Sequence, residues 1–341
     1  MKRFFTRILM YAGIPVVILA FVYIVTDPFK MLYPFRLDYC DTPNRDYFST
    51  ELFCRNDTIF HYNSFIFGSS KCIGVNSYHW CHYLPEGSRQ FVFQAWRETL
   101  TGIEQKIDFL DKNGNNIDNV LILFDVPLYS FAKEQLSKEV MFIKHYRLSG
   151  QSKFAFHACL FFGFIQKPSM WISSVKNWVR PKKTDFPSDG CSNDFQKRNR
   201  EADITCQPPK DSLCGMSPAA RETYLQTIAG KTDADLKECR SLINETMLQQ
   251  LWSIKKTFDK HNTDYRIVIT PAYCYTNNRI NQDDFLKLQM VFGIDKVYDY
   301  SGKNDLTIDC YNFVDPGHFG LSVGWQIIED IYNTKESVMN N

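Results

Sequence analysis

Net charge is nearly absent from this chain: 39 Lys and Arg stand against 38 Asp and Glu, a formal +1 over 341 residues. No long basic run breaks that balance. Nucleic-acid binding rests on clustered Lys and Arg, so it drops out early. The 11 cysteines include no CxxC pair and no Cys/His cluster at zinc-ligand spacing, so they offer no basis for a metal centre. P-loop and GxGxxG patterns are missing too, and no nucleotide or other cofactor is implied. Internal repeats and low-complexity tracts are also lacking. What is present is core: 44% hydrophobic and 15% aromatic residues against 23% charged ones suffice for a large packed domain and argue against disorder.

Charge is also missing locally, from Ile8 to Val25, after Lys2, Arg3 and Arg7. At about 1.5 Å per residue that stretch is just long enough to cross a bilayer core as a helix, and Tyr11 and Tyr23 suit its interfaces. A cleaved signal peptide would end in small residues, whereas this run ends Phe21-Val22-Tyr23-Ile24-Val25, so an uncleaved single-pass anchor fits better. Basic residues before the span and Asp27 after it place the amino terminus in the cytoplasm and Asp27 to Asn341 on the far side. Residues 1–30 are then the anchor and 31–341 an extracytoplasmic domain. In such a compartment some cysteines pair, with Cys191, Cys206, Cys214 and Cys239 in one polar segment, while Cys72, Cys159 and Cys274 read as small buried residues.

Residues 27–62 show no clear periodicity. From there, apolar runs ended by turn residues predict strands at Ser64–Phe67, Gln90–Phe93, Asn119–Phe124, Tyr265–Ile269 and Lys296–Tyr300. Spacings of three and four predict a helix through Leu100, Ile103, Ile107 and Leu110. A longer one runs from Leu236 to Phe258 with Thr232 or Asp233 as cap, and a last helix follows His318. An excursion at about 130–232 breaks the rhythm; within it Phe154–Ile165 is strongly apolar but too short to span, hence a buried or interfacial helix. Alternating strands and helices imply βαβ units and a mostly parallel sheet, with functional groups beyond the carboxyl ends of its strands.

Two loops at such ends carry reactive residue types. Gly68-Ser69-Ser70 follows the first strand and Asp315-Pro316-Gly317-His318 precedes the last helix. A serine hydroxyl becomes a nucleophile when a histidine takes its proton and a carboxylate orients that histidine. Taken singly, each loop is equally a helix cap or a turn. In this order and context they resemble the first and last sequence blocks of the SGNH/GDSL hydrolase superfamily. With the amino-terminal anchor, the arrangement looks most like its DltD-like and alginate-acetylation-like branch. The resemblance covers roughly residues 60–125 and 233–333. It implies a flavodoxin-like three-layer α/β/α sandwich, with Ser70 as nucleophile, His318 as general base, Asp315 as its orienting carboxylate and the Ser70 amide as an oxyanion donor.

Two departures qualify the match. The second family block supplies a glycine amide to the oxyanion hole, and here Arg97 takes its place in Phe93-Gln94-Ala95-Trp96-Arg97-Glu98-Thr99. The third supplies an asparagine, and here Asp125 stands there, with Lys71 and Arg97 available to neutralise it. An ionised carboxylate cannot donate, and losing one such donor costs about 2.7–4 kcal/mol. Ser69, Lys71, Trp96 and Asp125 are further residues that would line the site. Trp80 and Trp96 are either a sugar-stacking wall or core, and His61, His79, His82, His145, His157 and His261 are structural or solvated.

The resemblance therefore implies a membrane-anchored serine esterase or O-acyltransferase acting on acyl esters of a surface glycan or envelope polymer, with an integral-membrane acyl-donor protein as a further partner. Its rival is a catalytically idle domain of the same fold that binds a glycan or scaffolds an envelope assembly.

Overall fold

The structure, a computed structural model, describes residues 2–33, 44–125, 143–180, 240–273, 279–315 and 317–339, with side chains omitted at 2–10, 12, 310, 314–315 and 334–339. Helices α1 (Lys2–Thr26) and α2 (Arg45–Phe60) precede β1 (Ser64–Gly68), a 3-10 turn at Ser70–Gly74, α3 (Ser77–Cys81), β2 (Gln90–Gln94), α4 (Leu100–Lys112) and β3 (Asn119–Phe124). Next come α5 (Tyr146–Ser149), α6 (Lys153–Ile165), α7 (Pro168–Val179), α8 (Glu245–His261), β4 (Asp264–Ile269), α9 (Gln282–Phe292) and β5 (Val297–Asp299). The chain finishes with α10 (Asp305–Ile308), a hairpin of β6 (Phe313–Asp315) and β7 (His318–Phe319), and α11 (Leu321–Met339).

Strands β1 to β5 form one parallel sheet in the order β2-β1-β3-β4-β5. Every residue of β1, β2 and β3 is buried, which a parallel sheet achieves only when helices cover both faces. The protein is thus α/β, and its strand order is that of flavodoxin-like sheets. Right-handed crossovers put α4, α8 and α9 on one face, because the chain advances in one direction from β2 to β5, and put α3 on the other, where α11 packs beside it. Packing of α8 against α4 and α9 agrees with that division. The chain leaves β1 towards β2 but returns past it to β3. The topological switch point, where such sheets bind ligands, therefore lies beyond the carboxyl ends of β1 and β3.

All five strands and the helix through Leu100 lie where periodicity placed them, within two residues at each end. Helix α2 does not show in the sequence, because its buried residues include Asp46, Ser49, Thr50 and Asn56 beside Tyr47, Phe48, Leu52 and Phe53. A helix buried with polar residues shows no apolar stripe to detect. Helix α8 starts later than expected: Asn244 caps it by accepting from the Met247 amide, while Asp284 accepts from the amides of Leu242 and Ile243 and draws them out of helical pairing. The caps at Thr232 or Asp233 lie outside the described residues. Trp80 is fully buried, its Nε1 donating to Tyr332 Oη, so it belongs to the core and not to a sugar wall. Cys72 is buried as expected, Cys159 is instead exposed, Cys274 and the four cysteines of the polar segment lie outside the described residues, and Cys81 is disulfide-bonded.

Among the described residues no helix is long and apolar enough to cross a membrane. Helix α1 is 25 residues long, and its described side chains begin at Tyr11.

Helix α2 is held by buried ions. Lys106, wholly inside, pairs with Asp46 at 2.5 Å and with Glu98, and buried His145 meets Glu51 at 2.8 Å. Burial alone would raise the Asp46 carboxyl, but Lys106 and then Lys144 bring it below the usual carboxylate value; Glu51 is likewise lowered, against burial, by its bond and charge contact with His145. A carboxyl depressed on folding stabilises the fold above its unfolded pKa, and that stabilisation is lost as pH falls through the folded value. Thermal midpoints should therefore decline below about pH 4, with a shallower acid limb in Asp46→Asn; an identical limb would contradict this role for the pair.

Candidate active site

The site begins where β1 ends. A side chain at Gly68 would place its Cβ 2.9 Å from Cys72 Sγ and 3.0 Å from Leu123 O, so only glycine lets the strand exit this close to β3. Ser69 is buried, and its hydroxyl caps the following turn by accepting from the Lys71 amide at 3.3 Å. Its role is conformational. Ser70, half-buried, points elsewhere: its Oγ lies 2.7 Å from His318 Nε2, across 248 residues of sequence.

Glycines again make that meeting possible. Adding Cβ to Gly74, at the end of the Ser70 turn, would bring it 2.5 Å from the Phe319 ring and 2.7 Å from Phe319 O. On Gly324, in the first turn of α11, a Cβ would fall 1.8 Å from Gly74 O. The turn bearing Ser70, the strand bearing His318 and the last helix therefore interlock at backbone distance. Behind them the Gly320 amide donates to Asn312 O at 2.8 Å, and Asn312 Nδ2 donates to Leu306 O, which fixes the hairpin on α10. In that hairpin Asp315 pairs opposite His318, with its side chain outside the described residues.

Lys71, next to the serine, is buried and turns under the sheet ends. Its Nζ donates to Thr270 Oγ1 and Pro271 O, both at 3.0 Å, and lies 3.8 Å from Asp125 Oδ1. Thus Lys71 serves as a counter-charge for Asp125 and ties the Ser70 turn to the ends of β3 and β4. Cys72, directly behind, offers no rival nucleophile: burial, and then the Asp125 charge, push its thiol far above the usual range, and only the thiolate attacks.

The loop after β2 runs beside this turn, with Gln94 opposite Gly68 in register and the Ala95 amide donating to Gly68 O at 3.2 Å. Arg97 there adopts φ 49°, a left-handed conformation that favours glycine. Arginine thus stands where the resemblance leads one to expect glycine, in a backbone conformation that suits a glycine. Glu98 holds the loop down: it accepts from the Thr99 amide and ion-pairs with Lys106 and, at 3.1 Å, with Lys144. Trp96 is half-buried, with the Arg45 guanidinium 4.1 Å over its ring.

Three of the other histidines have structural partners: His145 binds Glu51, His261 meets Asp111 at 2.6 Å, and His79 stacks on Trp325. Among the described residues no group of three or more His, Cys, Asp or Glu is placed to hold a metal ion. A cavity of about 560 Å³ is walled by Gln105, Lys112, Tyr146, Arg147 and Lys153, among others, and no residue of the Ser70 site lines it. Thr270, Pro271, Gly74 and Gly324 were not singled out from sequence. The first two had a signal, since they directly follow a strand; a glycine that matters by close approach to a distant glycine has none.

No protein-family model matches this chain. No curated protein matches it either.

Replacing Gly324 by Ala should separate the two halves of the site. Overpacking of this kind costs about 1–3 kcal/mol, so a urea titration should show that loss together with slower Ser70 chemistry; unchanged stability and reactivity would remove the interlock from the account.

Proposed function

We propose that this chain is a membrane-anchored, extracytoplasmic SGNH-like serine esterase or O-acyltransferase that acts on acyl esters of a surface glycan or envelope polymer. The observation that carries the reading is the 2.7 Å approach of Ser70 Oγ to His318 Nε2 at the topological switch point of a parallel sheet. In the mechanism His318 Nε2 takes the Ser70 proton as Oγ attacks the acyl carbonyl. The same proton then passes to the departing alcohol oxygen as the ester bond breaks, leaving an acyl-serine. Water or a sugar hydroxyl next attacks the acyl-serine, losing its proton to His318, and Ser70 Oγ leaves with that proton. Asp315, opposite His318 in the hairpin, is the residue assigned to orient the imidazole. The amides of Ser70 and Arg97 are assigned to the oxyanion, the latter supported by its left-handed backbone.

The uncharged run from Ile8 to Val25 in the sequence is what supports the anchor. The basic residues before it support a cytoplasmic amino terminus.

One observation favours the rival, an idle domain that binds a glycan or scaffolds an assembly. Asp125 replaces an amide donor, and its ion pair with Lys71 is a sufficient structural role. The missing donor alone predicts a turnover lower by about 10²–10³-fold than a complete hole allows.

Full-length protein in detergent, given p-nitrophenyl acetate, should release p-nitrophenol and carry one acetyl group on Ser70 in its intact mass. Ser70→Ala should carry none, and His318→Ala should react about 10²–10⁴-fold more slowly. Equal release by wild type and both variants would overturn the catalytic reading in favour of the idle domain.

A further inference from the structure

We propose that α6 and α7 form a second membrane contact, a helical hairpin lying in the headgroup region of an anionic lipid leaflet beside α1. The inference rests on the reading of α1 as an anchor and adds a partner surface that anchoring does not require. One face of α6, Phe156, Leu160 and Phe164, is buried with Tyr23, Phe29 and Tyr47 in a core separate from that of the sheet. Tyr23 of α1 meets Phe161 and Phe164 at ring distances of 5.3 and 5.4 Å, and Trp171 Nε1 donates to Phe164 O at 2.8 Å, so α1, α6 and α7 pack as one unit. They join α1 at Leu19, Val22 and Tyr23, in its last two turns. If α1 spans a bilayer, those turns are where it leaves the hydrocarbon, and the hairpin sits at that depth.

The faces turned away from this core are apolar. Phe154 is 84% exposed, Ile172 73% and Trp178 59%, with Phe162, Val175 and Val179 exposed beside them. No residue of α7 is fully buried, and only Met170 and Trp171 of its apolar residues are half-buried against the α1–α6 core. Ile172, Val175 and Val179 follow helical spacing on one side, and Ser173, Lys176 and Arg180 on another. From Lys153 to Arg180 there is no acidic residue, while Lys153, Lys167, Lys176 and Arg180 are basic. Apolar and Trp side chains on one face with Lys and Arg on the other define an interfacial helix, and the excess positive charge selects anionic headgroups. The hairpin is tied to the catalytic domain through Tyr47 of α2, which stacks on Phe156 at 5.5 Å, so lipid contact would fix the height and tilt of the Ser70 site above the membrane.

Full-length protein reconstituted into phosphatidylcholine vesicles, with and without phosphatidylglycerol, separates the two claims. Flotation with the vesicles reports the anchor, and tryptophan quenching by lipids brominated near the headgroup reports the hairpin. Co-flotation is expected, together with quenching that Trp178→Phe largely removes and that the combined Lys167→Gln, Lys176→Gln, Arg180→Gln variant weakens in phosphatidylglycerol vesicles only. Flotation with quenching indifferent to Trp178→Phe overturns the hairpin and leaves the anchor standing. Failure to float overturns both.

Discussion

The last helix can lie against the turn after β1 only because Gly324 and Gly74 have no side chains: a single Cβ on Gly324 would stand 1.8 Å from the Gly74 carbonyl oxygen. Everything at the site follows from that approach. The Ser70 turn is set at one end by the bare backbone of Gly68 and at the other by Gly74, and the strand carrying His318 is clamped to it through Phe319. Serine and histidine, far apart in sequence, are thereby held at hydrogen-bond distance by close packing at backbone range.

Two buried lysines carry the electrostatics that this arrangement requires. Lys71 draws the Ser70 turn down onto Thr270, Pro271 and Asp125, and Lys106 gathers Asp46 and Glu98, so that α2, α4 and the loop of Arg97 share one charge network. Removing either cation would strand a buried carboxylate, which is costly, whereas the intact pairs contribute more to placement than to stability. The same network supports a backbone conformation at Arg97 that its side chain does not favour. Strain of that kind is found where function constrains the chain.

Much of this is legible in the sequence. The strands announced themselves as apolar runs ended by turn residues, because a sheet buried on both faces leaves no polar alternation to confuse them. Ser70 and His318 were legible from order and context, and the structure brings them together. Helix α2 was not, since its inward face includes Asp46, Ser49, Thr50 and Asn56 and so shows no stripe. The start of α8 is not legible either, because Asp284, 41 residues beyond Ile243, takes the amides that a helix would have used. Trp80 looked available for a ligand only because one-dimensional proximity to a strand end does not say which way a ring points. Local pattern identifies what a segment prefers; partners distant in sequence decide where it stops and what its side chains meet.

On the proposed reading, the Ser70 hydroxyl is activated by His318, 2.7 Å away. The most direct measurement is intact mass of the full-length protein after exposure to a fluorophosphonate, with the adduct mapped by peptide sequencing. One adduct is expected, on Ser70, absent from Ser70→Ala and from His318→Ala. No adduct on demonstrably folded protein, or labelling that persists undiminished without His318, would contradict it.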